Sequence, residues 1–198
     1  DSIIYGFSHT HLSGTGISDY GDILSMPTVG YVFFNALNDG RTDKGYASRF
    51  QHRNETASPG FYSVRLDDEN ILVELTATAR VGLHRYTFPK TDEANIIIDL
   101  THRDKVTDSG LRITGGTTMV GWRRSEAWAK DQIVYFALEF SQPFTSFGVS
   151  VDDKVYEGLR EARGQNLKTY FRFDAHAGAP VLVKVGISSV DIDGARRN

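Results

Sequence analysis

Residues 132–140, Gln-Ile-Val-Tyr-Phe-Ala-Leu-Glu-Phe, decide the fold class. Their largest apolar side chains fall on alternate positions: Val134, Phe136, Leu138 and Phe140. A period of two is the repeat of an extended strand, whereas an amphipathic helix repeats every 3.6 residues. The intervening positions are also largely apolar, which is typical of a strand buried between two layers. The stretch therefore predicts a central strand of a β-protein.

The same alternation recurs along the chain between short turn signals. Further predicted strands are Tyr31–Ala36, Phe61–Leu66, Ile71–Thr78, Val81–Phe88, Asn95–Leu100, Phe144–Val151, Thr169–Asp174 and Val181–Ser188. Runs such as Asp108-Ser109-Gly110 indicate turns between strands. Only Val155–Arg163 has helical character, although Gly158 weakens it. This spacing predicts an all-β, antiparallel β-sandwich with little helix, in a single domain over residues 1–198.

The composition excludes several function classes. The 198 residues carry 25 acidic and 22 basic side chains, a net charge of −3, so no general basic surface is available for nucleic acid. The chain contains no cysteine, which excludes disulfides, thiolate metal sites and cysteine nucleophiles. No apolar run approaches the roughly 18 residues of a membrane span, so neither nucleic acid nor a membrane is an expected partner.

Both ends of the sequence indicate a piece of a longer protein. Residues 3–7 are strand-like from the start, with no leader or loop before them. Residues 193–198, Asp-Gly-Ala-Arg-Arg-Asn, look like the first turn of an unfinished helix. The hypothesis is that upstream strands and a downstream domain are absent from this sequence, and a complete small protein with frayed ends is the alternative.

Residues 8–16, Ser-His-Thr-His-Leu-Ser-Gly-Thr-Gly, form the most unusual stretch. If this stretch is extended, His9, His11 and Ser13 project from one face. Two imidazoles so placed can bind zinc, but a catalytic zinc site usually needs a third protein ligand, and no nearby residue stands out. Hydrogen bonding to a sugar or to a facing domain, and hydrogen bonding to backbone groups inside the sandwich, both remain open.

Two residue pairs are candidates for sugar chemistry. Asp19 and Asp22 lie three positions apart and could be the paired carboxylates of a glycosidase, although turn and strand-end roles explain them more simply. Trp122 and Trp128 could stack on sugar rings, but tryptophan in a β-domain is more often a core or interface anchor.

Residues 80–89, Arg-Val-Gly-Leu-His-Arg-Tyr-Thr-Phe-Pro, combine arginine, histidine and tyrosine in a β pattern. Alternating donors such as His84 and Arg85 can line a carbohydrate cleft, where sugar hydroxyls need hydrogen-bond partners. The same residues can equally form cross-strand pairs on a solvent-exposed face of a sheet. A serine nucleophile elbow is disfavoured, because the chain contains no Gly-x-Ser-x-Gly.

Residues 6–16, Gly-Phe-Ser-His-Thr-His-Leu-Ser-Gly-Thr-Gly, and residues 18–23, Ser-Asp-Tyr-Gly-Asp-Ile, resemble the amino-terminal domain of glycoside hydrolase family 92. This family consists of exo-acting α-mannosidases. The resemblance continues in order through residues 84–89, 128–136, 183–190 and 194–198. It therefore covers nearly the whole chain.

The resemblance implies a truncated sandwich of the galactose-mutarotase-like supersandwich type, paired in family members with a C-terminal helical domain. Such enzymes hydrolyse terminal α-mannose of glycans with inversion and depend on calcium. The acid and base carboxylates and the main calcium ligands belong to the helical domain. The resemblance therefore implies no catalytic residue, no metal ligand and no cofactor in this chain, and a periplasmic or extracellular location.

Chemistry and motif position together nominate His9, His11, His84 and Arg85 as substrate-binding residues. In this hypothesis the chain contributes loops to a sugar pocket and packs on the catalytic domain, but is inactive alone. One alternative is an independent carbohydrate-binding module that uses Trp122 or Trp128. The other is a purely structural scaffold for the helical domain.

Overall fold

The computed structural model describes residues 2–12 and 20–198, which contain sixteen strands and a single α-helix. In chain order these are β1 (Ser2–Ile4), β2 (Leu24–Val29), β3 (Ser48–Phe50), β4 (Glu55–Ser58), β5 (Phe61–Leu66), β6 (Ile71–Ala77), β7 (Val81–Thr87), β8 (Ala94–Asp99), β9 (Lys105–Ile113), β10 (Thr118–Glu126), β11 (Gln132–Phe140), β12 (Ser146–Val151), β13 (Lys154–Glu157), β14 (Glu161–Gly164), β15 (Leu167–Phe173), β16 (Val181–Ser188) and α1 (Ile192–Arg197). Single 3-10 turns occupy Thr42–Lys44 and His52–Asn54.

Two large antiparallel sheets face each other. The first has nine strands in the order β14-β9-β10-β11-β16-β7-β6-β5-β4, and the second has five in the order β13-β12-β15-β8-β2. Strands β1 and β3 form a separate pair. The prediction of an all-β, antiparallel sandwich with almost no helix is confirmed. In the described parts of the chain, the α-helix is too short to cross a lipid bilayer.

The core lies between the inner faces of the two sheets. The alternate apolar residues of β11 are buried there, as the opening stretch predicts. Phe140 meets the five-stranded sheet, where its ring centroid lies 4.8 Å from that of Phe171 and 5.0 Å from that of Phe173. Tilted and edge-on aromatic contacts of this kind stabilise beyond the area they bury.

The prediction of a strand at Tyr31–Ala36 is wrong. The segment is irregular, yet Val32, Phe34 and Ala36 still pack against the core residues. Phe34 makes an edge contact with Tyr170 of β15, with 6.1 Å between ring centroids. The alternation arises because one side of this segment covers the outer face of the five-stranded sheet, not because the backbone joins a ladder.

Two other local predictions are also wrong. Val155–Arg163 is not helical: it forms β13 and β14, which belong to different sheets, and Gly158 between them has φ +69°. Residues 108–110 are not a turn but lie inside β9. Gly110 is required there because a Cβ would come within 2.1 Å of the indole of Trp122 on β10.

Strand β2 forms one border of the five-stranded sheet, and its outward N–H groups are all occupied or missing. Ser25 exchanges two backbone hydrogen bonds of 2.9 Å with Phe7. Pro27 has no N–H to offer. The N–H of Val29 donates to Oε2 of Glu69 at 2.5 Å. The outward side of β2 therefore offers no free N–H group to another strand.

Candidate functional site

A cleft of about 470 Å³ opens at the end of the nine-stranded sheet where β6 ends and β7 begins. Its lining combines aromatic and aliphatic side chains with polar ones. Several of them come from the first loop, whose described residues are 5–12 and 20–23, between β1 and β2. The lining includes Phe7, Ser8, His9, His11, Phe61, Tyr62, Leu75, Arg80, Gly82 and His84. A second recess of about 570 Å³ adjoins it and shares His9, His11 and Arg80. Both recesses therefore meet at the histidine stretch that the sequence singles out.

His9 is held at both ring nitrogens by the protein. Its Nδ1 lies 2.6 Å from the carbonyl oxygen of Ile23, and its Nε2 lies 2.8 Å from Nε2 of His84. The two rings, which are 75 residues apart in sequence, have centroids 4.8 Å apart. The ring of His9 thus forms part of the cleft wall, while its nitrogens face protein partners.

His84 is almost fully buried behind His9. Its Nδ1 lies 2.8 Å from the hydroxyl of Tyr86, and that hydroxyl lies 2.9 Å from Oγ of Ser25. Burial lowers the pKa of His9 to about 4 and the pKa of His84 well below its ordinary value. Both imidazoles are therefore neutral at neutral pH, and this part of the cleft wall carries no charge.

Gly82 makes room for the ring of His9. A Cβ at position 82 would lie 2.6 Å from Cδ2 and 2.9 Å from Nε2 of His9. Because the ring is hydrogen-bonded at both nitrogens, it cannot turn aside without losing a partner. The close approach of β7 to the first loop therefore depends on this glycine.

We expect Gly82→Ala to lower the free energy of unfolding by about 1–3 kcal/mol, the usual range for overpacking. Denaturant unfolding of the chain measures this. Gly116→Ala is the matched control, since nothing lies within 4 Å of a Cβ there, and it should change stability by less than about 0.5 kcal/mol. Equal effects of the two substitutions would contradict the contact.

His11 and Arg80 are the exposed basic side chains of the cleft. Nε2 of His11 donates to the carbonyl oxygen of Ser8 at 3.1 Å, and the ring remains exposed. Arg80 is exposed, and no side-chain partner is recorded for it among the described residues. These two residues are therefore the hydrogen-bonding side chains best placed to meet a bound molecule.

Arg85 does not join this cluster. It follows His84 on β7, so its side chain leaves the opposite face of the sheet. There its Nε lies 3.3 Å from Oε2 of Glu74, its cross-strand neighbour on β6. The structure thus brings together His9, His11 and His84 but not Arg85, and the substrate-binding role of all four stays a prediction.

Asp22 anchors the loop that carries the histidines. Its carboxylate pairs with Arg123, accepts from Oγ1 of Thr10 at 2.5 Å and accepts from Nε2 of Gln132 at 2.7 Å. Asp22 and Arg123 are completely buried. Asp22 is therefore a structural anion, and Asp19, its candidate partner, lies outside the described residues, as does Ser13.

Arg123 completes this buried cluster. Its guanidinium donates to the carbonyl oxygens of Leu100, His102 and Arg103 at 2.9, 2.7 and 2.7 Å. One side chain thus ties β10 to the loop after β8 as well as to the first loop. Sequence reasoning missed it, because an arginine inside a strand pattern is normally assigned to the solvent-exposed face.

The two tryptophans occupy different environments. Trp122 is half-buried over Gly110, with the guanidinium of Arg163 5.9 Å from its ring centroid. Trp128 lies in the hairpin between β10 and β11 and is 68% exposed. Trp122 is therefore a packing residue, whereas Trp128 presents a free aromatic face.

Within residues 2–12 and 20–198, no three histidine, aspartate or glutamate side chains converge as metal ligands would.

Comparison with known proteins identifies relatives across the whole chain. Residues 1–188 match the family model described as "Glycosyl hydrolase family 92 N-terminal domain". The family GH92 alpha-mannosidase of Bacteroides thetaiotaomicron has a similar structure, with a TM-score of 0.93 and 38% sequence identity over 99% of this chain and 28% of that chain. The same enzyme is also known in complex with mannoimidazole, and the match there covers 99% of this chain and 27% of that one.

Two more distant relatives extend this picture. An inverting GH92 mannosidase from the same bacterium shares the fold, with a TM-score of 0.84 and 24% identity over 100% of this chain and 26% of that chain. A curated protein of Arthroderma benhamiae named "Uncharacterized secreted glycosidase" is 26% identical over 233 residues, which cover 100% of this chain and 28% of that protein. The chain therefore spans little more than a quarter of the length of these relatives.

Proposed function

The chain belongs to the glycosyl hydrolase family 92 N-terminal domain family, and on that premise we propose that it is the β-sandwich part of an inverting, calcium-dependent exo-α-mannosidase acting on mannose-containing glycans. Its role is to contribute one wall of the sugar pocket and to pack on a C-terminal helical catalytic domain. The observation that carries this role is the pair of adjoining recesses that meet at His9 and His11 of the first loop.

The chemistry of the cleft suits a sugar. The guanidinium of Arg80 supplies donors for hydroxyl groups, and the second ring nitrogen of the exposed His11 supplies an acceptor. Phe61 and Leu75 supply apolar surface for the C–H face of a pyranose ring. His9 and His84, neutral and engaged with each other, hold the wall in place. In the proposal a terminal α-mannose is thus bound by the exposed pair and only supported by the buried one.

The proposal assigns the reaction itself to the remainder of the longer enzyme. The general acid, the general base and the calcium ion belong there, and this chain supplies binding surface only. The enzyme is proposed to work in the periplasm or outside the cell, which is supported by the name of the secreted relative.

Because the proposal places the acid, the base and the calcium ion outside this chain, we expect the isolated chain to hydrolyse no aryl α-mannoside, with or without calcium. Turnover of the α-mannoside by the chain alone would contradict this assignment.

We expect Arg80→Ala and His11→Ala, each made in the full-length enzyme, to raise KM for an α-mannoside by about tenfold. One lost hydrogen bond to a bound hydroxyl, at about 1–1.5 kcal/mol, has this size. Arg85→Ala is the matched control, since Arg85 lies on the opposite sheet face. Steady-state kinetics with unchanged KM in both cleft variants, or an equal effect in the control, would argue for a scaffold without sugar contact.

The exposure of Trp128 supports one alternative, an independent carbohydrate-binding module. Calorimetric titration of the chain with mannobiose separates the two functions. Binding by the isolated chain that is lost in Trp128→Ala would support the module, whereas absence of binding supports a pocket completed by another domain. Trp122→Phe serves as the control, because Trp122 is a packing residue.

A further inference from the structure

Four polar side chains form one line of hydrogen bonds through the interior of the sandwich. The line begins at Ser25 on β2, crosses to Tyr86 and His84 on β7, and continues to His9 at the cleft. It ends on the carbonyl oxygen of Ile23. Its heavy-atom distances run from 2.6 to 2.9 Å, and both hydroxyl-bearing residues are completely buried.

The direction of every hydrogen bond in this line follows from its last member. A carbonyl oxygen only accepts, so the proton of neutral His9 is on Nδ1, and its Nε2 must accept. Nε2 of His84 therefore donates, which leaves Nδ1 of neutral His84 as an acceptor. The hydroxyl of Tyr86 donates to that nitrogen, and the hydroxyl of Ser25 donates to the oxygen of Tyr86. Each imidazole is compatible with a single tautomer.

We propose that Tyr86 and Ser25 are positioning residues: their buried hydroxyls complete the hydrogen bonds of the His84 and His9 tautomers that the carbonyl oxygen of Ile23 requires, and thereby hold the ring that His9 presents to the cleft. Neither hydroxyl lines the cleft, so neither contacts a bound molecule. Their effect passes from the interior to the surface through two imidazoles. The proposal depends on the sugar-binding role only in naming the molecule that meets this wall.

Loss of the Tyr86 hydroxyl should weaken this line of hydrogen bonds. Without it, Nδ1 of His84 has no donor in a site from which water is excluded. The His84 ring can then keep its bond to His9 only by leaving that nitrogen unpaired, so the ring is held less firmly. His9 keeps its bond to Ile23, but the partner of its Nε2 is no longer fixed in place. One buried hydroxyl on β7 thus supports the ring of His9 at the cleft, in addition to the anchoring of the first loop by Asp22.

The test is the tautomeric state of histidines in the full 198-residue chain labelled with ¹⁵N-histidine, followed through two-bond ¹H–¹⁵N couplings at pH 7. The wild type should show His9 with its proton on Nδ1 and His84 with its proton on Nε2, and both neutral. Tyr86→Phe should shift the Nδ1 resonance of His84, because that nitrogen loses its hydrogen-bond donor, and should leave the proton of His9 on Nδ1. Ser25→Ala should shift the same resonance in the same direction by less, and covers the case in which Tyr86→Phe does not fold.

Tyr62→Phe is the matched control, because it removes a hydroxyl that donates to Glu55 at 2.7 Å, outside the line. It should leave both histidines unchanged. A wild type with the opposite tautomers, Tyr86→Phe and Ser25→Ala spectra that match the wild type, or a control that changes as much as Tyr86→Phe, would each overturn the proposal. In the full-length enzyme we also expect Tyr86→Phe to raise KM about three- to tenfold with a smaller change in kcat. A shifted Nδ1 resonance of His84 with unchanged KM would support the positioning of His84 by Tyr86 and count against the sugar-binding role instead.

Discussion

Asp22→Ala is expected to lower the free energy of unfolding by about 3–5 kcal/mol, the largest effect of any single substitution considered. The reason is the isolation of its partner. Arg123 is completely buried, so without Asp22 its guanidinium charge has no counter-ion and no access to water. Thr10 and Gln132 lose their acceptor in the same variant, which loosens the histidine loop at the cleft.

The residue after Arg123 offers a closely matched control. Arg124 pairs with Asp131 on the surface, where the two side chains are 51% and 59% exposed. Asp131→Ala should therefore cost no more than about 1 kcal/mol. Urea unfolding of both variants measures the contrast. Replacing Asp22 and Arg123 together by apolar residues of similar size should recover much of the loss, and an Asp22→Ala effect no larger than that of Asp131→Ala would contradict the account.

Arg123 shows why part of the fold could not be predicted from the sequence. Strands with one clear apolar face, such as β5 and β16, were predicted with the bounds they have. Strands β9 and β10 were missed. In β9 the run Asp108-Ser109-Gly110 imitates a turn, although Gly110 is there to accommodate an indole. In β10 a buried charge occupies an inward position, where a hydrophobicity pattern expects an apolar residue.

The contribution of Glu69 to stability should fall as the pH rises from about 4.5 through 7, whereas the buried neutral rings of His9 and His84 act in the opposite direction below about pH 6.5. Burial, and to a lesser extent the neighbouring Asp68, raise the pKa of the Glu69 carboxyl to about 7. A folded-state pKa above the unfolded value means that the folded chain binds the proton more tightly, so its contribution is fully present below the unfolded pKa and is lost as pH rises. A rise from 4.5 to about 7 corresponds to about 3 kcal/mol, reduced by partial solvent access to about 2 kcal/mol.

Glu69→Gln removes the titration but keeps an oxygen for the N–H of Val29. We expect this variant to be more stable than the wild type by about 2 kcal/mol at pH 9, and by far less at pH 4. Chemical denaturation at pH 4, 7 and 9 measures the difference between the two proteins. Glu161→Gln, at an exposed position of β14, should follow the wild type at every pH. Parallel curves for Glu69→Gln and the wild type would refute the effect.

The candidate site was only partly accessible to sequence reasoning, and for a specific reason. Chemistry and motif position were sufficient to select His9, His11 and His84. That His9 and His84 contact each other could not be predicted, because they are 75 residues apart in sequence and strands of both sheets come between them along the chain. The strand period places Arg85 on the opposite face from His84, which is where the structure has it. Arg80, at the start of the same segment, became prominent only once the cleft was seen.

The border of the five-stranded sheet has a consequence for behaviour at high concentration. Amyloid growth and edge-to-edge aggregation need a row of free backbone N–H and C=O groups against which a second molecule can extend the ladder. Along the outward side of β2, Phe7, Pro27 and Glu69 leave no free N–H group. A second molecule therefore finds no regular ladder to extend on this side of the native protein.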